Sequence, residues 1–280
     1  MVLLIDTFTR HFEPGIAEAA LAVLQAGGYR VSIAEPQGDD EEPARALCCG
    51  RTYLAQGMID QARDEVRRLV RALLPHVQAG RTVVGLEASC VLGLRDDAQA
   101  YGLGETVEQV ARHTLLFEEF LARESTAKRL DLPLKALAGS ETLVHGHCHQ
   151  KAVGAMKSMR RVLKLIPDHE FTLIESGCCG MAGTFGIEAE HAELSSKMAE
   201  QALMPALRGK KPAARVVANG FSCRHQMRAH GDQRPRHLAE LLRDALLEKG
   251  RLRPPEGALQ GGAAPAPLRT AHLPGPVSAT

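Results

Sequence analysis

Two Cys-Cys-Gly turns, Cys48-Cys49-Gly50 and Cys178-Cys179-Gly180, lie 130 residues apart in a chain of 280. Adjacent cysteines are poor partners for each other, because a vicinal disulfide strains the peptide between them. They are better suited to presenting two thiolates to a third party. Glycines 177, 180, 183 and 186 recur every three residues around the second pair, which lets the backbone approach that party and aim N–H groups at it. The flanking positions keep the same beat. Ser89-Cys90 and Ser222-Cys223 lie 133 residues apart, and Thr7 and Cys148 stand 141 apart at matched first-strand ends. The chain therefore reads as a duplicated unit of about 130 residues.

The periodicity between these landmarks predicts what each unit folds into. In the first, strands are expected over 2–6, 29–34 and 82–86, with helices over 14–26, 58–78 and 105–123. In the second, strands are expected over 142–145, 171–174 and 215–218, with helices over 150–166, 188–207 and 235–248. Strands alternating with helices at these lengths predict an α/β fold. It comprises two tandem βαβ-type pseudo-repeats with parallel sheets and the cysteines at the strand carboxyl ends, where open parallel sheets gather their ligands. The expected division is 1–135 for the first repeat, 136–250 for the second, and 251–280 as a disordered Pro/Gly/Ala-rich tail.

The second repeat offers four thiols, Cys148, Cys178, Cys179 and Cys223, from three strand ends, enough for a [4Fe–4S] cluster or a tetrahedral Zn²⁺. The first offers Cys48, Cys49 and Cys90, one short of a cubane, so that site reads as degenerate, completed by another ligand, or empty. The glycine spacing is not G-x-G-x-x-G, which excludes a dinucleotide fingerprint. His145, His147 and His149 alternate and would share a strand face, as ligands or, by the commoner alternative, as hydrogen-bonded strand-end residues. Glu118-Glu119 reads as a solvated helix face, and Met156, Met159, Met181 and Met198 as packing. Arg51, Arg95, Lys151, Arg224 and His225 stand near the cysteine turns, as counter-charges, partner contacts or ordinary surface.

Seven cysteines, an odd number, without a recognisable secretory signal read as metal or redox ligands in a reducing compartment. A net charge of +1 gives no electrostatic footprint for nucleic acid, and 4% aromatics without Trp gives no base-stacking surface. No apolar run is long enough for a transmembrane segment.

Six stretches carry a family likeness: 6–14 (DTFTRHFEP), 48–51 (CCGR), 85–90 (GLEASC), 145–151 (HGHCHQK), the Cys178 turn, and 219–226 (NGFSCRHQ). They resemble the cysteine-rich CCG domain found in heterodisulfide reductase, in the iron–sulfur component of glycolate oxidase, and in related lactate-utilisation and anaerobic glycerol-3-phosphate dehydrogenase systems. The local wording is nearer still to the C-terminal region of FAD-linked D-2-hydroxyacid dehydrogenases with fused iron–sulfur modules. The resemblance implies electron transfer from a flavin-linked lactate- or glycolate-type dehydrogenase to an acceptor. It also implies FAD only on a partner, a ferredoxin-like iron–sulfur module alongside, and a cytoplasmic place or one at the inner membrane face through partners. Two departures stand out. Glu87 and Gly220 occupy the first position of the C-x-x-C that ends the fullest form of each repeat, and Thr7 stands for the first repeat's upstream cysteine. With no flavin domain and no C-x-x-C-x-x-C run, the chain is expected to be a separate subunit or a piece of a longer protein, incomplete as a catalyst. A zinc-binding structural or assembly module and a thiol–disulfide reductase are the alternatives.

Overall fold

The computed structural model describes residues 1–247 except 138, 140, 232 and 233; the tail expected at 251–280 lies outside the described residues. The first half runs β1 (Val2–Leu4), α1 (Thr7–His11), α2 (Pro14–Ala26), β2 (Ser32–Ile33), α3 (Arg51–Ala55), α4 (Ile59–Gln78), β3 (Val83–Gly85), α5 (Ala88–Arg95), α6 (Glu105–His113), β4 (Thr114–Leu116) and α7 (Phe117–Thr126). The second runs β5 (Thr142–His145), α8 (Cys148–Ala152), α9 (Met156–Leu163), β6 (Phe171–Leu173), α10 (Ala192–Glu200), α11 (Leu203–Arg208), β7 (Arg215–Ala218), α12 (Phe221–Ala229) and α13 (Leu238–Ala245).

All strand pairs in the two sheets are parallel, in the orders β2-β1-β3-β4 and β6-β5-β7. The predicted α/β class with parallel sheets is what the chain adopts. In each sheet the first strand of the half lies in the interior, so its carboxyl end opens between two neighbouring loops. The repeat extends further than the cysteines showed. Arg236 bridges Val217 in parallel, where the first half has β4 beside β3. Leu116 and His237 then start equivalent helices, and each donates its N–H to a glutamate three residues on, Glu119 and Glu240.

Packing joins the halves reciprocally. α13, the last helix of the second half, lies on α2 of the first, and α7, the last helix of the first, lies on α9 of the second. Val23, Leu24, Phe120, Leu121, Met159, Val162, Leu163, Leu241 and Leu242 belong to one buried cluster. The amphipathic pattern of α4 instead closes a core local to the first half, with Val66, Leu69, Val70 and Leu73 inward.

Several expected elements are divided. The helix expected over 105–123 is broken by β4, because Thr114 and Leu116 are buried as an edge strand against β3. The one expected over 150–166 is broken between α8 and α9, where Gly154 takes a left-handed φ of 73°. The one expected over 188–207 is split into α10 and α11. The strand expected over 29–34 is reduced to two residues. Four short helices, α1, α3, α5 and α12, add to the predicted set; the strand-end cysteines Cys90, Cys148 and Cys223 sit in the first turns of helices.

Candidate metal centre

The second-half cysteines are delivered by three strand ends. β5 passes through Gly146 to His147, which caps α8 by accepting the His149 N–H on Nδ1 (3.2 Å), so Cys148 opens that helix. β6 leads to the Cys178 turn, closed by Gly180 at φ 90°. β7 leads through Asn219 and Gly220, the N-cap of α12, to Cys223 one turn on. The four sulfurs are free thiols in a continuous file, in which Cys148 interacts with Cys178, Cys178 with Cys179, and Cys179 with Cys223. A ring nitrogen of His145 and the sulfurs of Cys179 and Cys223 lie within 4.8 Å of one another. The Gly180 N–H donates to Cys178 Sγ at 3.3 Å.

The file alternates in proton affinity. Hydrogen bonds from Cys148 and Cys179 draw Cys178 far below the usual thiol range, and the bond from Cys179 does the same to Cys223. Their donors move the other way, and burial adds to the rise. Cys178 and Cys223 are thus poised as thiolates, and a bound cation would displace the protons of Cys148 and Cys179. Four sulfurs and a buried nitrogen are a donor set that fits a thiophilic metal or an iron–sulfur group.

The first half brings Cys48, Cys49 and Cys90 together, with Cys49 Sγ 2.9 Å from Cys90 Sγ. Its surroundings differ. Where the second half has Cys148, His147 and Gly220, the first has Thr7, Asp6 and Glu87 as the corresponding α1, cap and α5-cap residues. All three first-half thiols are raised. Cys48 is lifted by its bond to Cys49 and by burial. Cys49, though it accepts from Cys48, is lifted by its bond to Cys90 and by burial. Cys90, though it accepts from Cys49, is held at about 11 by burial and by the charges of Asp6 and Glu87. Three thiols beside two buried carboxylates are a poorer place for further negative charge than four thiols beside imidazoles.

Gly220 explains one departure from the family pattern. A Cβ there would lie 2.5 Å from Cδ2 of His147 and 3.3 Å from Cys223 Sγ, so the imidazole occupies the space of a side chain at 220. Glu87, at the equivalent place, caps both halves: it accepts from Ser89 Oγ (2.8 Å) at the start of α5 and from the Phe221 N–H (2.7 Å) at the start of α12. Burial, then the charge of Asp6, raises it to about 7.

The expectation that Glu118 is solvated is overturned. It is 1% exposed and accepts from the side-chain amides of Gln150 and of Asn219 (3.0 Å). Both amides are fixed in orientation, because Gln150 Oε1 takes the His147 N–H (3.0 Å) and Asn219 Oδ1 takes the Leu238 N–H (3.0 Å). A first-half helix thus braces two of the three cysteine loops. Burial lifts Glu118 to about 7 against these donors. An EE pair at helical spacing does not say which of its two carboxylates is buried; only the fold turns Glu118 inward. Glu119 meets Arg95 at 2.6 Å.

The other singled-out residues divide between the site and the scaffold. Lys151 Nζ donates to the carbonyls of Ser176 and Gly177, each at 2.7 Å, fastening the Cys178 turn. Arg51 pairs with Asp97 at the cleft. Arg224, 2% exposed, pairs with Glu13 of the other half (Nε to Oε2 3.0 Å) and donates to Ala218 O at 2.9 Å. His225 lies against Phe221. The three histidines do not share a strand face, because β5 ends at His145; His149 reaches Asp96 at 3.2 Å. Of the four glycines, Gly180 donates to a cysteine sulfur, while the Gly186 N–H is spent on Met181 O. Met159 and Met181 are buried, as packing requires.

A cleft of about 450 Å³ opens over the second-half file, lined by all four of its cysteines and by residues of both halves. Its walls are chiefly apolar, with Phe8 stacked on Phe221 at 4.7 Å and exposed Phe12 alongside at 5.5 Å from Phe221. Across its mouth, Gln56 after α3 donates to Thr184 Oγ1 (2.7 Å) and Glu188 Oε1 (2.9 Å). No helix among the described residues is long and apolar enough to cross a membrane.

Similarity to known proteins follows the same landmarks. The chain is 27% identical over 242 residues to one of the subunits of the anaerobic glycerol-3-phosphate dehydrogenase of Escherichia coli K12, covering 85% of this chain and 57% of that protein. It is 27% identical over 243 residues to the D-2-hydroxyglutarate dehydrogenase of Pseudomonas putida, covering 86% of this chain and 22% of that one. It is 27% identical over 195 residues to the enzyme of that name from Escherichia coli K12, covering 69% and 18%. The chain thus spans about half, or less, of the relatives it matches. Residues 142–248 match the CCG cysteine-rich domain family. The second half of this chain, with its four-sulfur file, is a CCG cysteine-rich domain.

Proposed function

We propose that the chain is an iron–sulfur electron-transfer unit of a dehydrogenase system, with Cys148, Cys178, Cys179 and Cys223 holding a [4Fe–4S] cluster. The observation that carries this reading is the file of four sulfurs from three loops, each beside the next, lining an apolar cleft. The relatives support it, one being named as a subunit of a dehydrogenase and the others as dehydrogenases. When bound, such a cluster stores and releases single electrons. The chain's own residues do the rest. Cys178 and Cys223 supply the most acidic thiols, the Gly180 N–H neutralises part of the Cys178 charge, and Lys151 and Glu118 fix the loops. Phe8, Phe221 and Ile187 keep water off the sulfurs from the cleft side. The unit works with a FAD-bearing dehydrogenase for lactate, glycolate or a similar 2-hydroxy acid and with a ferredoxin-like module, in the cytoplasm or at the inner membrane face through those partners. Cys48, Cys49 and Cys90 form a secondary, vestigial metal site.

A zinc centre is the second reading, favoured by the compactness of His145, Cys179 and Cys223, which a single ion can span. Reductive titration under anaerobic conditions separates the two. The cluster reading predicts about one electron taken up per chain with a new EPR signal. It also predicts loss of both in Cys178→Ser and Cys223→Ser, and their retention in Cys49→Ser and Cys90→Ser. A zinc-bearing chain that takes up no electron would sink the cluster reading.

A further inference from the structure

We infer that His145 is a direct donor to the centre through Nε2, taking the place of one of the four cysteines at a centre with four ligand positions, which gives the second-half site a mixed sulfur–nitrogen set. This rests on the reading that the cysteine file holds a metal centre. His145 ends the central strand β5 and is fully buried. Its Nδ1 lies 2.9 Å from Ser176 Oγ, in the segment leading to the Cys178 turn, and its buried Nε2 has no nitrogen or oxygen partner and faces only the sulfurs of the file, Cys223 among them. A buried ring kept for packing does not look like this. His237, equally buried, spends both nitrogens, accepting the Ala239 N–H on Nδ1 (3.0 Å) and donating from Nε2 to Leu86 O (3.1 Å). An unpaired nitrogen in the interior costs stability unless something else engages it. What lies beside the His145 ring is the sulfur pair Cys179 and Cys223.

The orienting contact has the right chemistry. When Nδ1–H donates to Ser176 Oγ, the Nε2 lone pair is left for the metal, the arrangement by which a second partner fixes a ligating imidazole. The matched residue of the first half is Leu4, on a strand whose end has only three thiols nearby. The imidazole therefore occurs in the half with the complete cysteine set. A neutral nitrogen donor also adds no negative charge, so it raises the reduction potential relative to an all-thiolate set.

The test uses the full chain, labelled with ¹⁵N-histidine, purified without oxygen and reduced. Pulsed EPR is expected to show a histidine-nitrogen coupling that disappears in His145→Gln while iron and sulfide stay, with the midpoint potential falling. If that variant loses the centre, Ser176→Ala decides: a changed coupling upholds the inference and an unchanged one overturns it. A cluster with no histidine coupling, or with the same coupling in His145→Gln, overturns it. Failure of the cluster reading looks different, because iron and sulfide are then absent. With zinc bound instead, zinc-edge absorption showing one nitrogen among the sulfurs upholds His145, and four sulfurs overturn it.

Discussion

Replacing Gly180 by alanine should damage the fold and the centre together, whereas the same change at Gly177 should do neither. Gly180 has φ 90°, a conformation that costs an L-residue about 1–2 kcal/mol. A Cβ there would stand 2.2 Å from the carbonyl oxygen of Ser195 and 3.2 Å from Gln226 Nε2. That carbonyl cannot simply withdraw, because it belongs to α10 and Gln226 Nε2 holds it at 3.2 Å from α12, the helix bearing Cys223. Overpacking of this kind adds about 1–3 kcal/mol, for a total of about 2–5 kcal/mol. With a urea m-value of about 3 kcal/mol/M, the midpoint should fall by about 1 M. Gly177 has open space around its Cβ position, so Gly177→Ala should stay within about 0.5 kcal/mol of wild type. The assay is urea unfolding of both variants and wild type, with metal content measured on the same preparations. A Gly180→Ala midpoint indistinguishable from wild type, with normal metal content, would refute the reasoning, as would equal damage from Gly177→Ala.

Glu118→Gln should cost about 1–3 kcal/mol, because one of two fixed amide donors is left facing another donor; urea unfolding at neutral pH checks this, and an unchanged midpoint contradicts it. Arg224→Met should cost about 1–3 kcal/mol, because Glu13 loses its buried partner and keeps only the exposed Arg228. Arg224→Met with Glu13→Gln should recover part of that loss, and no recovery would refute the assignment of the cost to the Glu13 carboxylate. His237 gives a pH dependence of definite sign. Burial, then the nearby charge of Arg224, holds it down to about 3. Between an unfolded value of about 6.5 and that point, only the unfolded chain takes the proton. Stability is therefore complete above pH 6.5 and falls by up to about 1.4 kcal/mol per unit as pH drops toward 3. Glu87 and Glu118, both raised to about 7, act with the opposite sign, losing stability as pH rises toward 7. The His237 share is thus read as the difference between wild type and His237→Gln at pH 7.5 and 5.0, and equal slopes in the two proteins would contradict it.

The parallel α/β architecture was legible because its strands are short apolar runs ending at chemically marked positions, as at 142–145 and 215–218. Both of these strands have the bounds that the sequence predicts. The convergence of the four second-half cysteines was legible for the same reason, since strand carboxyl ends share one edge. β4 was hidden because Thr114 and Leu116 fit the helical spacing that runs on both sides of them. The added helices were hidden because five residues in α1 and α3, and eight or nine in α5 and α12, are too few to show a clear period. The interlocking of α13 on α2 and α7 on α9 left no trace in the sequence, as apolar helix faces do not say which face they meet. Glu118, Arg224 and Glu87 look like surface charges for the same reason: each is buried by contacts with the other half, over 100 residues away in all three cases, Glu118 with Asn219, Glu87 with Phe221 and Arg224 with Glu13.

Iron, acid-labile sulfide and zinc per chain, measured on the full chain purified without oxygen, test the central claim most directly. A [4Fe–4S] centre in the second half predicts about four irons with matching sulfide and a broad absorption near 400–420 nm, all lost in Cys223→Ser. About one zinc per chain, with neither sulfide nor colour, would contradict the electron-transfer account.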